Sequence, residues 1–319
     1  MLFNLPNQLQ DQIQLGREPL TLLTSSKLLS VISLFKTNLE PQINQITDHY
    51  AYNYGADDIW TINGASSKGC LYILEWWLKT RSESGLELKY DQEAINKASS
   101  RGYVKVLEWW LKARDESGLE LKYDLWGING ASANGHVETL KWWLKARDES
   151  GLEFEYGHIA INYASRNNHT EVLDWWLESG LELKYDERAI NNASANGHLN
   201  VLEWWKNYFK FRHRYIEYTE QAINSASCNG HVSVLEWWLK AHKSSGLEFK
   251  YDQSAINCAS GNDHVEVLEW WLKARDESGL EFKYDNRAIA WASRNGLAEV
   301  LEWWKSSGLE LKVPEGCQL

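Results

Sequence analysis

The phrase A-I-N-x-A-S-x-N-G-H-x-x-V-L-E-W-W, complete at Ala189–Trp205, recurs along the chain at a fixed period, and nothing else in the sequence limits the fold as strongly. The alanine of its Ala-Ser pair falls at Ala65, Ala98, Ala131, Ala164, Ala193, Ala226, Ala259 and Ala292, in steps of 33 residues with a single step of 29. The Trp-Trp pair keeps the same steps from Trp76 to Trp303, so there are eight units. Units of this size pack on their sequence neighbours, which predicts one elongated solenoid where 319 residues would otherwise suggest two domains.

Each unit can be built from its residues. On a helix turning ~100° per residue, Ala189, Ile190, Ala193 and Ser194 share one arc, and Arg188, Asn191, Asn192 and Ala195 share the opposite, polar one. An Asp three residues before the first Ala supplies an N-cap (Asp58, Asp91, Asp124, Asp186, Asp252, Asp285), with Thr219 as a substitute and Gly157 as a weaker one. The Asn-Gly-His turn, as at Asn196–His198, ends this first helix, glycine supplying the left-handed residue. A second helix follows. Val106, Leu107, Trp109, Trp110 and Leu111 give it a wide apolar arc that must be covered by its own first helix and by neighbouring units. Each Trp can bury ~150–250 Å², roughly 4–6 kcal/mol gross, so the pairs read as core in preference to a ladder for stacking bases or sugars. The stretch Ser179–Asp186 (S-G-L-E-L-K-Y-D) closes the second helix and alternates at period two, predicting an extended return to the next cap.

This order of helix, Asn-Gly-His turn, longer helix, glycine and extended return resembles the ankyrin repeat over residues 51–313. A-I-N-x-A-S stands where that family has P-L-H-L-A-A, N-G-H-L-N-V-L-E-W-W where it has N-G-H-L-E-V-V-K-L-L, and S-G-L-E-L-K where it has A-G-A-D-V-N. The D-G-x-T-P segment that shapes the family's finger hairpin is missing, so short fingers without hairpins are expected. The 29-residue step is the basic one, and the 33-residue units add four residues to the second helix, as at Ala113–Glu116. The fold class is therefore an all-α, ankyrin-like solenoid of eight helix-turn-helix units. What the resemblance implies is a protein partner held on the concave face, with no inherent chemistry.

The expected domains are an N-terminal segment 1–50, the repeats 51–313 and a tail 314–319. Leu2, Leu5, Leu9 and Ile13, then Leu20–Phe35, carry helical apolar spacing, as a cap over the exposed solenoid end would. L-P-N-Q-L-Q-D-Q-I at residues 5–13 resembles the opening of an F-box, and both readings stay open: a cap, or the handle of a substrate adaptor for a cullin-type ubiquitin ligase.

The net charge of −11 argues against general nucleic-acid binding. The chain shows neither a signal peptide nor an apolar run long enough for a bilayer, and its four cysteines lack C-x-x-C spacing. A soluble cytoplasmic or nuclear monomer with reduced thiols is the expectation. His136, His169, His198, His231 and His264 come one per unit at helix-packing separations, too far apart to converge on zinc, so they read as structural turn residues. No catalytic constellation stands apart from the repeat, and neither cofactor nor metal is expected.

Partner-binding residues are sought on the polar arc of the first helices, where two columns vary while the frame repeats. They run from Gly64 through Lys97, Gly130, Tyr163, Asn192, Ser225 and Cys258 to Trp291, and from Ser67 through Arg166 and Cys228 to Arg294. The residues singled out are Lys97, Tyr163, Arg166, Arg188, Asn192, Trp291 and Arg294. The neighbouring Asn column (Asn63, Asn96, Asn129, Asn162, Asn191, Asn224, Asn257) suggests a ladder bonding backbone between units, with a ligand-binding ladder as the alternative. Lys206–Tyr218 breaks the pattern by placing Lys210, Arg212, His213 and Arg214 among aromatics. That reads either as a docking site for an acidic peptide or as a varied loop with its aromatics packed inward.

Overall fold

The computed structural model describes residues 59, 61–85, 87–212 and 216–313. The N-terminal segment, with its cap or F-box-like handle, Asp58, the residues His213 and Arg214, and the tail lie outside them. Among the described residues the secondary structure is helical, with no strand.

The first helices of the eight units are α1 (Ile62–Ser67), α3 (Glu93–Ser100), α5 (Leu125–Ala133), α7 (His158–Arg166), α9 (Arg188–Ala195), α11 (Gln221–Cys228), α13 (Ser254–Gly261) and α15 (Arg287–Arg294). The second helices are α2 (Leu71–Ser84), α4 (Val104–Ser117), α6 (Val137–Ser150), α8 (Thr170–Glu178), α10 (Leu199–Arg212), α12 (Val232–Ser245), α14 (Val265–Ser278) and α16 (Ala298–Ser306). Neighbouring units stack in series. Their first helices pack backbone close to backbone, whereas second helices approach one another far less. The cause is side-chain size: Ala94, Ala98 and Ser99 line the first-helix seam, and Trp109 and Trp110 fill the second.

Second helices in 33-residue units run 14 residues, and α2, α4, α6, α12 and α14 close on a left-handed glycine such as Gly118 (φ 63°, ψ 27°), whereas α8 in the 29-residue unit has 9 residues. The additional turn thus lies in the second helix, as the sequence comparison of units indicated. The returns carry no ladder.

Three hydrogen-bond series tie unit to unit. In the first, Asn96 Nδ2 donates to Asp124 Oδ1 at 2.8 Å and the Asp124 backbone N–H donates back to Asn96 Oδ1 at 3.3 Å, while the same Asp124 Oδ1 accepts from Trp126 N at 2.8 Å to start α5. The arrangement repeats at Asn63–Asp91, Asn162–Asp186, Asn224–Asp252 and Asn257–Asp285, with Thr219 answering Asn191. Asn191 is only 4% exposed: of the polar-arc residues it is the one that turns toward the next unit's cap and belongs to the seam. In the second series, the indole N–H of each second Trp from Trp110 to Trp304 donates to the Ser of the preceding unit's Ala-Ser pair, for example Trp143 to Ser99 at 2.8 Å and Trp176 to Ser132 at 3.1 Å. A buried indole N–H needs a partner, and that serine provides it. In the third, a return-segment Tyr packs on the next unit's second Trp and donates to a backbone carbonyl of the next return, as Tyr90 does to Trp110 (4.8 Å between centroids) and Glu120 O (2.8 Å).

The turn histidines are part of this frame. A Cβ built on Gly102 or Gly135, both left-handed, would lie 2.8 or 2.7 Å from the ring of His136 or His169 in the following unit. His198 Nε2 lies 2.8 Å from the Arg166 carbonyl. Burial lowers the His136 and His198 pKa values below the ordinary histidine value, with a neighbouring-unit carbonyl bond opposing the shift in each. Among the described residues no group of three or more His, Cys, Asp or Glu comes together as metal ligands do.

Candidate protein-binding surface

Small residues on one face of each first helix set what its other face can offer. Because Ala189, Ile190, Ala193 and Ser194 are fully or almost fully buried, Arg188 and Asn192 project away from the seam. The two varying columns are not uniform: Gly64, Ser67 and Gly261 are buried, while Tyr163, Arg166 and Arg294 are exposed and Lys97, Asn192 and Trp291 half-buried.

The structure brings four of the singled-out residues together. Tyr163 and Arg166 on α7 share a cation–π contact, the guanidinium 6.0 Å from the ring centroid. Arg188 and Asn192 lie on the adjacent α9, and Arg188 Nη2 lies 2.9 Å from His158 Nε2 at the start of α7. Arg188 also grips Asp186, with Nη2 to Oδ2 at 2.6 Å. Burial pushes the Asp186 carboxyl up, but hydrogen bonds from Arg188 outweigh it and hold the pKa below the usual carboxylate range. Trp291 and Arg294 sit apart on α15, where Arg287 lies over the Trp291 ring at 5.9 Å and, through its hydrogen bond, lowers the Asp285 pKa. Lys97, on α3, pairs with Glu93 at 3.1 Å.

Trp126 lies outside the Trp-Trp frame of the repeat. It is 51% exposed on the first turn of α5, against 9% or less for the second Trp of every pair from unit two onward. Its departure from the W-W register was the signal: a tryptophan outside the repeat frame has no slot in the frame's core.

The basic-aromatic stretch lies on a different element, the last turns of α10. Phe209 is buried and Tyr208 stacks on Trp204 at 5.5 Å, while Lys210, Phe211 and Arg212 face solvent. It is therefore not continuous with the first-helix columns.

No helix among the described residues is long and apolar enough to cross a membrane. No curated protein matches the chain. The family model for ankyrin repeats (many copies) matches residues 158–204, which run from α7 to the first Trp of the α10 pair. Residues 158–204 thus match ankyrin repeats, general protein-interaction modules, and the other described units continue the same ankyrin-like helical stack.

Proposed function

We propose that this chain is a non-enzymatic scaffold that binds a protein partner along the outward columns of its first helices, centred on units three to five. The observation that carries this reading is the exposure of Trp126 on α5 and of Tyr163 beside Arg166 on α7, in a protein whose other tryptophans are mostly held in the core. Aromatic and arginine side chains are the residue types that anchor protein interfaces. The net charge of −11 favours a protein partner over nucleic acid.

Affinity capture from host lysate tests it. Proteins retained by the native chain should be lost with the triple variant W126A/Y163A/R166E and kept with K112E, which changes an exposed second-helix lysine. Retention unchanged by the triple variant would sink the proposal. The same experiment addresses two side readings. A Skp-type adaptor and a cullin captured by the full chain, and lost when the chain starts at Tyr50, would identify residues 1–50 as an F-box-like handle. Loss of partners on charge reversal of Lys210 and Arg212 would move the contact to the end of α10.

A further inference from the structure

Cys228 ends α11 and Cys258 lies in the following first helix, α13, 30 residues on. That step brings side chains together at two other places along the stack. Ser100 and Gly130 are separated by the same 30 residues, and a Cβ built on Gly130 lies 2.7 Å from the Ser100 Cβ. Gly261 and Trp291 repeat it, at 3.0 Å. Both pairs contain a glycine, which lets the helices approach below normal Cβ contact. Relaxed to admit two Cβ atoms, this spacing meets the ~3.5–4.5 Å that a disulfide needs. The Cys228 and Cys258 side chains are hydrogen-bonded to one another, and Asn262 Nδ2 donates to Cys228 Sγ at 3.2 Å. Both thiols are free and half-buried, within reach of a small reagent.

We propose that Cys228 and Cys258 form a dithiol modification site that exchanges with small disulfides of the glutathione type and closes to an intramolecular disulfide joining α11 to α13. The Cys228 thiolate attacks one sulfur of the small disulfide, forming a mixed disulfide and releasing one small thiolate. The Cys258 thiolate then attacks the Cys228 sulfur and releases the second. The two cysteine protons pass to the two departing thiolates, so the small disulfide is reduced to two thiols while the pair is oxidised by two electrons.

The order of attack follows from the environment. The hydrogen bond from Cys258 draws the Cys228 pKa down to about 7, and the same bond raises that of Cys258. Cys70, away from this pair, has its pKa raised by burial. At pH 7 about half of Cys228 is thiolate against ~1% for a thiol of pKa 9, a ~50-fold gain. Lower intrinsic nucleophilicity returns about tenfold of it, leaving Cys228 roughly fivefold faster than such a thiol, with Cys70, whose pKa is raised, slower again. The site stands whether or not the first-helix face binds a partner.

The test uses the full chain with oxidised glutathione at pH 7, followed by alkylation and peptide mass spectrometry. The expected result is a Cys228–Cys258 linked peptide, with Cys70 still alkylated. In C258S, where no second thiol can displace it, a glutathione adduct should persist on Cys228. Two outcomes overturn the proposal: both thiols of the native chain remaining alkylatable under that exposure, or a glutathione adduct on Cys228 persisting in the native chain because Cys258 does not displace it.

Discussion

The junction between α5 and α7 lacks the bond that closes the other described junctions of the Asn series, so restoring it gives a quantitative test of how units are joined. Gly157 occupies the position held elsewhere by the capping Asp or Thr219, and Asn129, 1% exposed, has both side-chain amide atoms unpartnered. α7 also starts without a side-chain cap. The substitution G157D fits the backbone as it stands. Gly157 has φ −130° and ψ −174°, close to the −141° and −168° of Asp124, and a Cβ there meets nothing within 4 Å. Satisfying a buried amide contributes about 1–3 kcal/mol. A carboxylate at the helix start adds ~0.3–1 kcal/mol, and the reduced freedom of the unfolded chain adds about 0.4–1 kcal/mol. Desolvating the carboxylate opposes these, so a net gain of about 2 kcal/mol is expected. The assay is urea unfolding followed by tryptophan fluorescence, with G157A separating the loss of glycine freedom from the carboxylate bond. N129A in the G157D background should remove more than about 1 kcal/mol of the gain. The reasoning is refuted if G157D and G157A have equal stability, or if N129A leaves the gain of G157D intact.

Other outcomes follow from the same frame. Thr139 stands where neighbouring units carry Val, and its hydroxyl is buried and unpartnered; T139V should raise stability by about 1 kcal/mol in urea unfolding. S132A removes the acceptor of the fully buried Trp176 indole and should cost about 1–3 kcal/mol, with faster amide exchange across α5 and α8. His136 and His198 have depressed pKa values, so below an unfolded value of about 6.5 the unfolded chain binds protons the folded one does not. Stability should therefore decline as pH falls from 7 toward 5, and a pH series of melts on H136Q/H198Q should show a shallower decline.

The architecture was legible because each unit repeats one solution to one packing problem: small residues where helices touch, tryptophans where they stand apart, and glycine where the chain turns left-handed. The tie between units was only half legible. The Asn column announced itself by regularity, yet its partner, the next unit's cap, lies 28 residues away and had already been assigned a local role. Likewise Ser99 read as a small seam residue, and its acceptance of the Trp143 indole appears only once the helices are stacked. Cys228 and Cys258 looked unrelated against C-x-x-C spacing, whereas the 30-residue step that pairs them is a property of the stack. The surface offered no such regularity, because exposed positions are free to vary whether or not they bind. Trp126 is the exception, since a large apolar residue outside the frame is costly to leave in water.

Site-specific photocrosslinking tests most directly whether the first-helix face holds the partner. A photoreactive phenylalanine analogue would be placed at Tyr163 on α7 or at the exposed Glu108 on α4, and each protein irradiated in host lysate. Discrete protein adducts are expected from position 163 and none from position 108. Adducts from position 108 with none from position 163 would contradict a partner held on that face.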